Sequence, residues 1–187
     1  AGNHADALKH IALLALCDAL TAKPAPLYAL DTHAGAGVYL LDSEEASKTG
    51  EASGGIGRLL AHPPQDPAIA RYIAAVATCR AETGQPLAYP GSPWLLAHAL
   101  RDQDRIACCE LRDEEAALLK HNIGRDMRIA VHARDGYTAM RALLPPSLGA
   151  RSPSWAICRG RKFASRSLPT VPCTWTWARP SPWTAGP

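Results

Sequence analysis

The sequence contains no apolar run approaching the roughly 18 to 20 residues that a membrane-spanning helix requires. Because its 187 residues are 47% hydrophobic and 20% charged, general disorder is not expected either, and the length suits one domain of ordinary size. The first residues lack the basic and apolar regions of a secretory signal peptide. We therefore expect a soluble protein with no membrane partner.

None of the six cysteines is spaced as a CxxC pair, so the sequence gives no support for a zinc ribbon or a thioredoxin-like redox site. The adjacent Cys108 and Cys109 lie in an apolar run, and we expect them to be small buried hydrophobic residues. This cysteine usage favours a reducing, cytoplasmic location, and it predicts no bound metal.

Acidic residues are absent from residues 136–187, which carry seven basic residues, eight of the 16 prolines and four of the five tryptophans. This segment shows neither helical nor strand periodicity. We therefore divide the chain into a core at residues 1–147 and a tail at residues 148–187. We expect the tail to be disordered or the product of an altered reading frame near Leu148. The alternative is a nucleic-acid-binding arm in which arginines contact phosphates and tryptophans stack on bases.

The core alternates between predicted strands and helices. Three short apolar runs predict buried strands, each followed by a glycine-rich or acidic turn and a helical pattern: Pro26–Asp31, Arg105–Glu110 and Met127–His132. This order predicts an α/β fold, a parallel sheet with helices on both faces. Residues 39–90 show helical patterns and no evident strand, which predicts a helical insertion at about residues 42–90.

Acids follow the three predicted strands, at Asp31, Glu110 and Asp135, and glycines occupy positions 35 and 37. Parallel strands end at one edge of a sheet, where a carboxylate commonly accepts hydrogen bonds from the ribose hydroxyls of a nucleoside-containing cofactor. Solvated acids at strand ends are the alternative interpretation. An NAD-dependent oxidoreductase is a second enzymatic possibility, although Leu40 replaces the third glycine of a GxGxxG pattern.

Several segments together are more specific than any one of them. These are Ala1–Asp6, Leu8–His10, Leu30–Gly37, Thr49–Glu51, Tyr89–Pro93, Glu110–Leu111 and Asp135–Gly136. Over nearly all of residues 1–146 the chain resembles the RlmJ-type adenine-N6 methyltransferases of 23S ribosomal RNA, a class I S-adenosylmethionine-dependent family.

The resemblance implies a Rossmann-like methyltransferase core with a helical insertion after the first strand and, in this chain, an incomplete C-terminal half. It implies S-adenosylmethionine as cofactor and an adenine of 23S ribosomal RNA as target. We also expect a monomer. The cofactor contacts that it implies are His10, His33, Ser92, Glu110, Asp135 and Gly136. By their chemistry, Glu110 can accept from ribose hydroxyls and Asp135 from the adenine amine, whereas a structural role is the alternative for the two histidines.

The chain departs from the family at its fourth strand. Enzymes of this group carry Asp-Pro-Pro and an aromatic residue there, which hold the target amine and stack on the base, and residues 146–187 contain no such segment. Methyl transfer depends on positioning, so we assign no catalytic residue and expect no catalysis by this chain. Asn3, His4 and Lys9 are candidates for contact with RNA phosphate. A non-catalytic RNA-binding protein using the basic segment Arg159–Lys162 is the third hypothesis.

Overall fold

A computed structural model describes residues 1–41, 53–144, 154–158 and 176–178. The helices are α1 (His4–Thr21), α2 (Arg58–Ala61), α3 (Pro67–Thr83), α4 (Ser92–Ala99), α5 (Asp113–Ile123) and α6 (Gly136–Leu143), with a short helical turn at Ser53–Gly57 before α2. The strands are β1 (Leu27–Asp31), β2 (Val38–Leu40), β3 (Ala88–Pro90), β4 (Arg105–Glu110), β5 (Ile129–Ala133), β6 (Ser154–Cys158) and β7 (Thr176–Ala178).

The main sheet has five strands in the order β5-β4-β1-β6-β7. β1 is parallel to both β4 and β6, β5 is parallel to β4, and β7 is antiparallel to β6. In this register Asp31 lies opposite Cys108, and Glu110 lies opposite Ala133. The predicted α/β fold with a parallel sheet is confirmed, and the ends of β1, β4 and β5 meet at one edge.

Both faces of the central strands are covered, which explains why β1 and β4 read as continuous apolar runs rather than alternating ones. Leu27 and Ala29 pack in the larger core with α1, α3, α4 and α5, whereas Tyr28 and Leu30 pack in a smaller core that includes Ala139 of α6. The two cysteines of β4 divide in the same way, Cys108 into the larger core and Cys109 into the smaller one. Both are fully buried, as expected, and burial raises the pKa of Cys109 to about 11.

The insertion after β1 contains the predicted helices α2 and α3. α3 begins after Asp66, whose Oδ1 accepts from the backbone N–H groups of Ala68 and Ile69 at 2.9 and 3.1 Å, and it ends at Gly84 with φ of +65°. The expectation of no strand in residues 39–90 is wrong, because β2 and β3 form an antiparallel pair. Each has three residues, too few to show a periodicity.

Two strands also lie within residues 148–187, where the sequence shows no strand pattern. β6 pairs with β1 from Leu27 opposite Ser154 to Asp31 opposite Cys158, so the sheet continues beyond β1 on that side. The sheet therefore has more than the three strands that the sequence indicates. The expectation of a disordered or out-of-frame tail concerns residues that lie largely outside the described ranges.

Candidate functional site

The Glu110 carboxylate joins the end of β4 to the glycine-rich turn after β1. Its Oε2 accepts from the backbone N–H of Gly35 at 2.8 Å, and its Oε1 accepts from the backbone N–H of Arg112 at 3.0 Å. The preceding residue of the turn also belongs to this contact, because the Ala34 N–H donates to the Cys109 carbonyl at 2.9 Å. Two elements that are 75 residues apart in sequence are thereby fixed against each other at the sheet edge.

Position 35 requires glycine for two reasons. Its φ is +63°, a left-handed conformation that side chains rarely adopt, and a Cβ there would lie 1.9 Å from the Tyr39 hydroxyl oxygen. The Tyr39 ring thus supports the turn from below, where burial raises the pKa of its hydroxyl above the usual value. The turn therefore presents backbone alone at this position.

Asp31, the last residue of β1, is fully buried. Its Oδ2 accepts from the Ser92 hydroxyl at 2.6 Å, and its Oδ1 accepts from the His33 backbone N–H at 3.1 Å. Burial raises the pKa of the Asp31 carboxyl to about 6, and the charge of Glu110 acts in the same sense, while the hydrogen bonds from Ser92 and His33 oppose the rise. The carboxylate thus holds the start of α4 against the end of β1.

Asp135 and Gly136 bring the start of α6 to the same turn. The Asp135 Oδ2 accepts from the Thr138 N–H at 2.9 Å and from the Thr138 hydroxyl, which together hold the pKa of Asp135 below its usual value. A Cβ on Gly136 would lie 2.1 Å from the carbonyl oxygen of Thr32. Only a glycine lets the helix start approach the turn this closely.

His33 contacts both the turn after β1 and the first turn of α6. Its Nδ1 is 2.9 Å from the Thr32 hydroxyl, and its ring meets the Tyr137 ring edge-on with 5.0 Å between centroids. The structure therefore brings His33, Glu110, Asp135 and Gly136 to one edge of the sheet, with Ser92 joined to it through Asp31. The convergence that the strand order predicts is confirmed for these residues.

His10 approaches from a different direction. It lies on α1, and its Nδ1 is 3.1 Å from the hydroxyl of Tyr89 on β3, three residues before Ser92. Burial is the main cause that lowers the pKa of His10 to about 4, so the ring is neutral near pH 7. His10 is therefore linked to the sheet edge through the segment from β3 to α4 rather than through the glycine-rich turn.

The chain matches the family model described as RsmJ, ribosomal RNA large subunit methyltransferase D, RlmJ, over residues 24–151. The chain belongs to this family. It is 40% identical to the ribosomal RNA large subunit methyltransferase J of Escherichia coli and 39% identical to that of Haemophilus influenzae, each over 146 residues. These matches cover 78% of the chain and 52% of each relative, so the chain spans about half the length of these curated relatives.

A solved structure supports the same fold. The crystal structure of protein LPL1258 from Legionella pneumophila superimposes with a TM-score of 0.70 at 28% identity, covering 85% of this chain and 68% of that one. The RlmJ-type resemblance and the Rossmann-like fold are thus confirmed. The matched range of the RlmJ family model includes the residues at the sheet edge and excludes His10.

Two exposed apolar side chains at this sheet edge were not among the predicted contacts. Leu111 is 68% exposed and directly follows Glu110, and Tyr137 is 41% exposed and directly follows Gly136. Their positions immediately after the strand-end acid and after the glycine are the signal that could have identified them. Apolar groups exposed beside hydrogen-bonding acids are suited to the faces of an aromatic base.

The three residues predicted to contact RNA phosphate have different surroundings in the structure. Asn3 caps α1, because its Oδ1 accepts from the Asp6 N–H at 2.9 Å, and His4 is exposed at the first position of the helix. The Lys9 Nζ is buried and has no hydrogen-bond partner among the described residues, with an Asp6 carboxylate oxygen 3.9 Å away. The Asp6 carboxylate is therefore the anion beside Lys9 in this structure, and a contact of any of the three with RNA phosphate stays a prediction.

Across residues 1–41, 53–144 and the two short C-terminal strands, no group of three or more His, Cys, Asp or Glu residues is placed to hold a metal ion. In the same part of the chain no helix is both long and apolar enough to cross a membrane.

Proposed function

We propose that this chain binds S-adenosylmethionine at the carboxyl edge of the main sheet, and that it serves N6-methylation of an adenine in 23S ribosomal RNA. The single observation that carries the proposal is the contact of the Glu110 carboxylate with the glycine-rich turn, beside the Asp135 end of α6. Carboxylates and close backbone at the ends of adjacent parallel strands are what a nucleoside-containing cofactor requires.

The adenosine end of the cofactor would lie between the two strand-end acids. Glu110 can accept hydrogen bonds from the ribose hydroxyls, and Asp135 can accept one from the adenine amine. Leu111 and Tyr137 are the exposed apolar residues next to these acids, and they suit the two faces of the adenine ring. Gly136 permits the close backbone approach in this region.

The amino-acid end of the cofactor carries a carboxylate, for which the chain offers Lys9 and His10 on α1. Lys9 supplies a buried ammonium without a hydrogen-bond partner among the described residues. His33 and Ser92, both joined to Asp31, would contact the cofactor between its two ends. When bound, the cofactor supplies an activated methyl group, and the residues of this chain bind it, orient it and exclude water.

Isothermal titration with S-adenosylhomocysteine and with NAD separates this proposal from an NAD-dependent oxidoreductase. We expect heat with S-adenosylhomocysteine and none with NAD. Glu110→Gln should weaken binding at least about tenfold, because one acceptor of a charge-assisted hydrogen bond is replaced by a donor. Glu114→Gln is the matched control on a side chain that is 90% exposed. Heat with NAD alone would overturn the proposal.

The RNA substrate, the cytoplasmic location and a monomeric state are parts of the same proposal. We assign the chain no catalytic residue, because residues 146–187 contain no Asp-Pro-Pro-aromatic segment. A chain that binds the cofactor and transfers no methyl group to 23S ribosomal RNA is therefore the expected result of a radiolabelled methyl-transfer assay. Methylation above background would contradict the inactivity, while leaving the cofactor site in place.

We also propose the division into a core at residues 1–147 and a tail at residues 148–187. The nucleotide sequence of the gene across codons 140 to 187, translated in all three frames, tests the altered reading frame. An Asp-Pro-Pro-aromatic segment in another frame would support it. Its absence from every frame would favour the tail as native sequence, and deletion after Pro146 would then test whether RNA affinity resides there.

A further inference from the structure

Three rings from three different elements meet beside the candidate site. Tyr72 comes from α3, Tyr89 from β3 and His10 from α1. Both tyrosines are at most 1% exposed, and their ring centroids lie 6.1 Å (Tyr72) and 5.6 Å (Tyr89) from that of His10. The Tyr72 and Tyr89 hydroxyls are 2.8 Å apart, and the Tyr89 hydroxyl is 3.1 Å from the His10 Nδ1. We call these three residues the Tyr-Tyr-His chain.

The donor and the acceptor of each hydrogen bond in the Tyr-Tyr-His chain can be assigned by starting from Tyr72. Within the described part of the protein, the Tyr72 hydroxyl has one hydrogen-bond partner, Tyr89. A buried hydroxyl hydrogen without an acceptor is costly, so Tyr72 donates to Tyr89. Tyr89 then has its own hydrogen left to donate, and the His10 Nδ1 is the acceptor in reach. The opposite order would leave the Tyr72 hydrogen without an acceptor.

The second nitrogen of His10 is therefore the one that carries the proton. A neutral imidazole has one N–H and one acceptor nitrogen, and an Nδ1 that accepts from Tyr89 places the hydrogen on Nε2. Within the described residues, the one hydrogen bond of His10 is made through Nδ1, so Nε2 has no partner there. The charge of the neighbouring Lys9 also contributes to the low pKa of His10, after burial.

We propose that Tyr72 and Tyr89 are positioning residues that hold His10 as the Nε2–H tautomer, so that this N–H is available to the carboxylate of the bound methyl donor. The identity of the ligand rests on the proposed function, whereas the tautomer and its cause do not. The insertion between β1 and β4 thereby contributes to the site through two side chains that do not touch the ligand.

The alternative is that the two tyrosines only fill the core. Tyr72 and Tyr89 belong to the larger hydrophobic cluster, so their removal would reduce stability under either interpretation. Stability alone is therefore no test. The tautomer of His10 and the affinity for S-adenosylhomocysteine at fixed fold are the readouts that a space-filling role leaves unchanged.

The first measurement needs no variant. Nitrogen-15 NMR of the histidine-labelled full chain distinguishes a protonated from an unprotonated ring nitrogen, with His10→Gln identifying the signals. We expect Nδ1 to be unprotonated and Nε2 to be protonated near pH 7. A protonated Nδ1, or an even mixture of the two tautomers, overturns the proposal. This result does not depend on whether the chain binds any cofactor.

The second measurement removes one hydroxyl at a time. Tyr89→Phe should mix the His10 tautomers and weaken S-adenosylhomocysteine binding about tenfold, and Tyr72→Phe should cause a smaller loss, about threefold, since the Tyr89 hydroxyl remains. Tyr28→Phe, a tyrosine of the smaller core, is the control and should leave both readouts unchanged. Circular dichroism confirms that each variant is folded.

The outcomes separate the two proposals. If the wild type binds S-adenosylhomocysteine and Tyr89→Phe keeps the wild-type tautomer and affinity, the positioning role is wrong and the cofactor site stands. If the wild type shows the Nε2–H tautomer, lost in Tyr89→Phe, but binds no S-adenosylhomocysteine, the tyrosines set the tautomer and the proposed function fails.

Discussion

Asp31 and His10 are both enclosed near the candidate site, and burial shifts their pKa values in opposite directions. The pKa of the Asp31 carboxyl is raised from 3.8 to about 6, and that of His10 is lowered from 6.5 to about 4. Between about pH 4 and 6 the folded state therefore holds one more proton on Asp31, and one fewer on His10, than the unfolded state does. The two effects on the free energy of unfolding cancel to a large extent in this range.

Single substitutions should expose each contribution. In Asp31→Asn the His10 contribution remains, so the free energy of unfolding should fall as the pH drops from 6.5 to 4. In His10→Gln the Asp31 contribution remains, and the free energy should fall as the pH rises from 4 to 6. Each change should amount to roughly 2–3 kcal/mol, since one unit of pKa shift is about 1.4 kcal/mol. Urea unfolding across this range measures both, and slopes equal to that of the wild type would contradict the opposed shifts.

Gly136 is a second residue whose identity the site depends on. Gly136→Ala places a Cβ within 2.1 Å of the Thr32 carbonyl oxygen, so the start of α6 must move away from the turn after β1. We expect a loss of roughly 1–3 kcal/mol in the free energy of unfolding and weaker binding of S-adenosylhomocysteine. Gly54→Ala, where no atom lies within 4 Å of the new Cβ, is the control. Equal effects in the two variants would argue against a tight contact.

At the scale of elements, the link between α1 and β1 is held by side chains from the loop before β4. The Gln103 Nε2 donates to the Pro24 carbonyl at 2.9 Å, and Arg101 makes the larger set of hydrogen bonds. The Arg101 guanidinium donates to Asp104 and to three backbone carbonyls of the link at 2.7–3.0 Å, those of Thr21, Lys23 and Ala25. Burial alone would raise the pKa of Asp104, but the hydrogen bonds from Arg101 and from the Leu27 N–H outweigh burial and lower it. One cation thus satisfies a buried carboxylate and the carbonyls of a helix end.

Arg101→Met keeps the aliphatic stem and removes the guanidinium. The Asp104 side chain has no exposed surface, so an uncompensated charge remains, and we expect the protein to lose roughly 3 kcal/mol of stability at pH 7. Arg125→Met, an exposed position after α5, should change stability by less than about 0.5 kcal/mol. Thermal or urea unfolding of both variants checks this, and similar losses would mean that the Arg101 hydrogen bonds contribute little to stability.

The strands also show which elements can be predicted from the sequence and which cannot. β1 and β4 are predictable because every residue of β1, and all of β4 after Arg105, is buried. β5 begins at Ile129 rather than Met127, since Asp126 accepts from the Arg128 N–H at 2.8 Å and forms a turn that leaves Met127 96% exposed. β2 and β3 could not be predicted, because each depends on a partner about 50 residues away.

At the scale of the whole molecule, one part of the candidate site can be predicted from the sequence and another part cannot. The meeting of Glu110 with the turn after β1 follows from strand order alone, because parallel strands end at a common edge. The surroundings of His10 do not, since Tyr72 and Tyr89 come from a helix and a strand of the insertion whose packing on α1 leaves no local pattern. Residues that act through long-range packing are therefore what the sequence alone missed.

The contribution of the C-terminal residues to the sheet decides how β1 is protected. β6 pairs with all five residues of β1, so a chain ending at Leu144 would present β1 as an open edge. Such edges template association between chains. We expect the truncated chain to unfold at lower urea concentration, to form oligomers in size-exclusion chromatography and to exchange β1 amide hydrogens faster. A chain ending at Ala178 retains β6 and β7 and should elute with the same oligomeric state as the full chain, and identical exchange in the two would contradict the β1–β6 pairing.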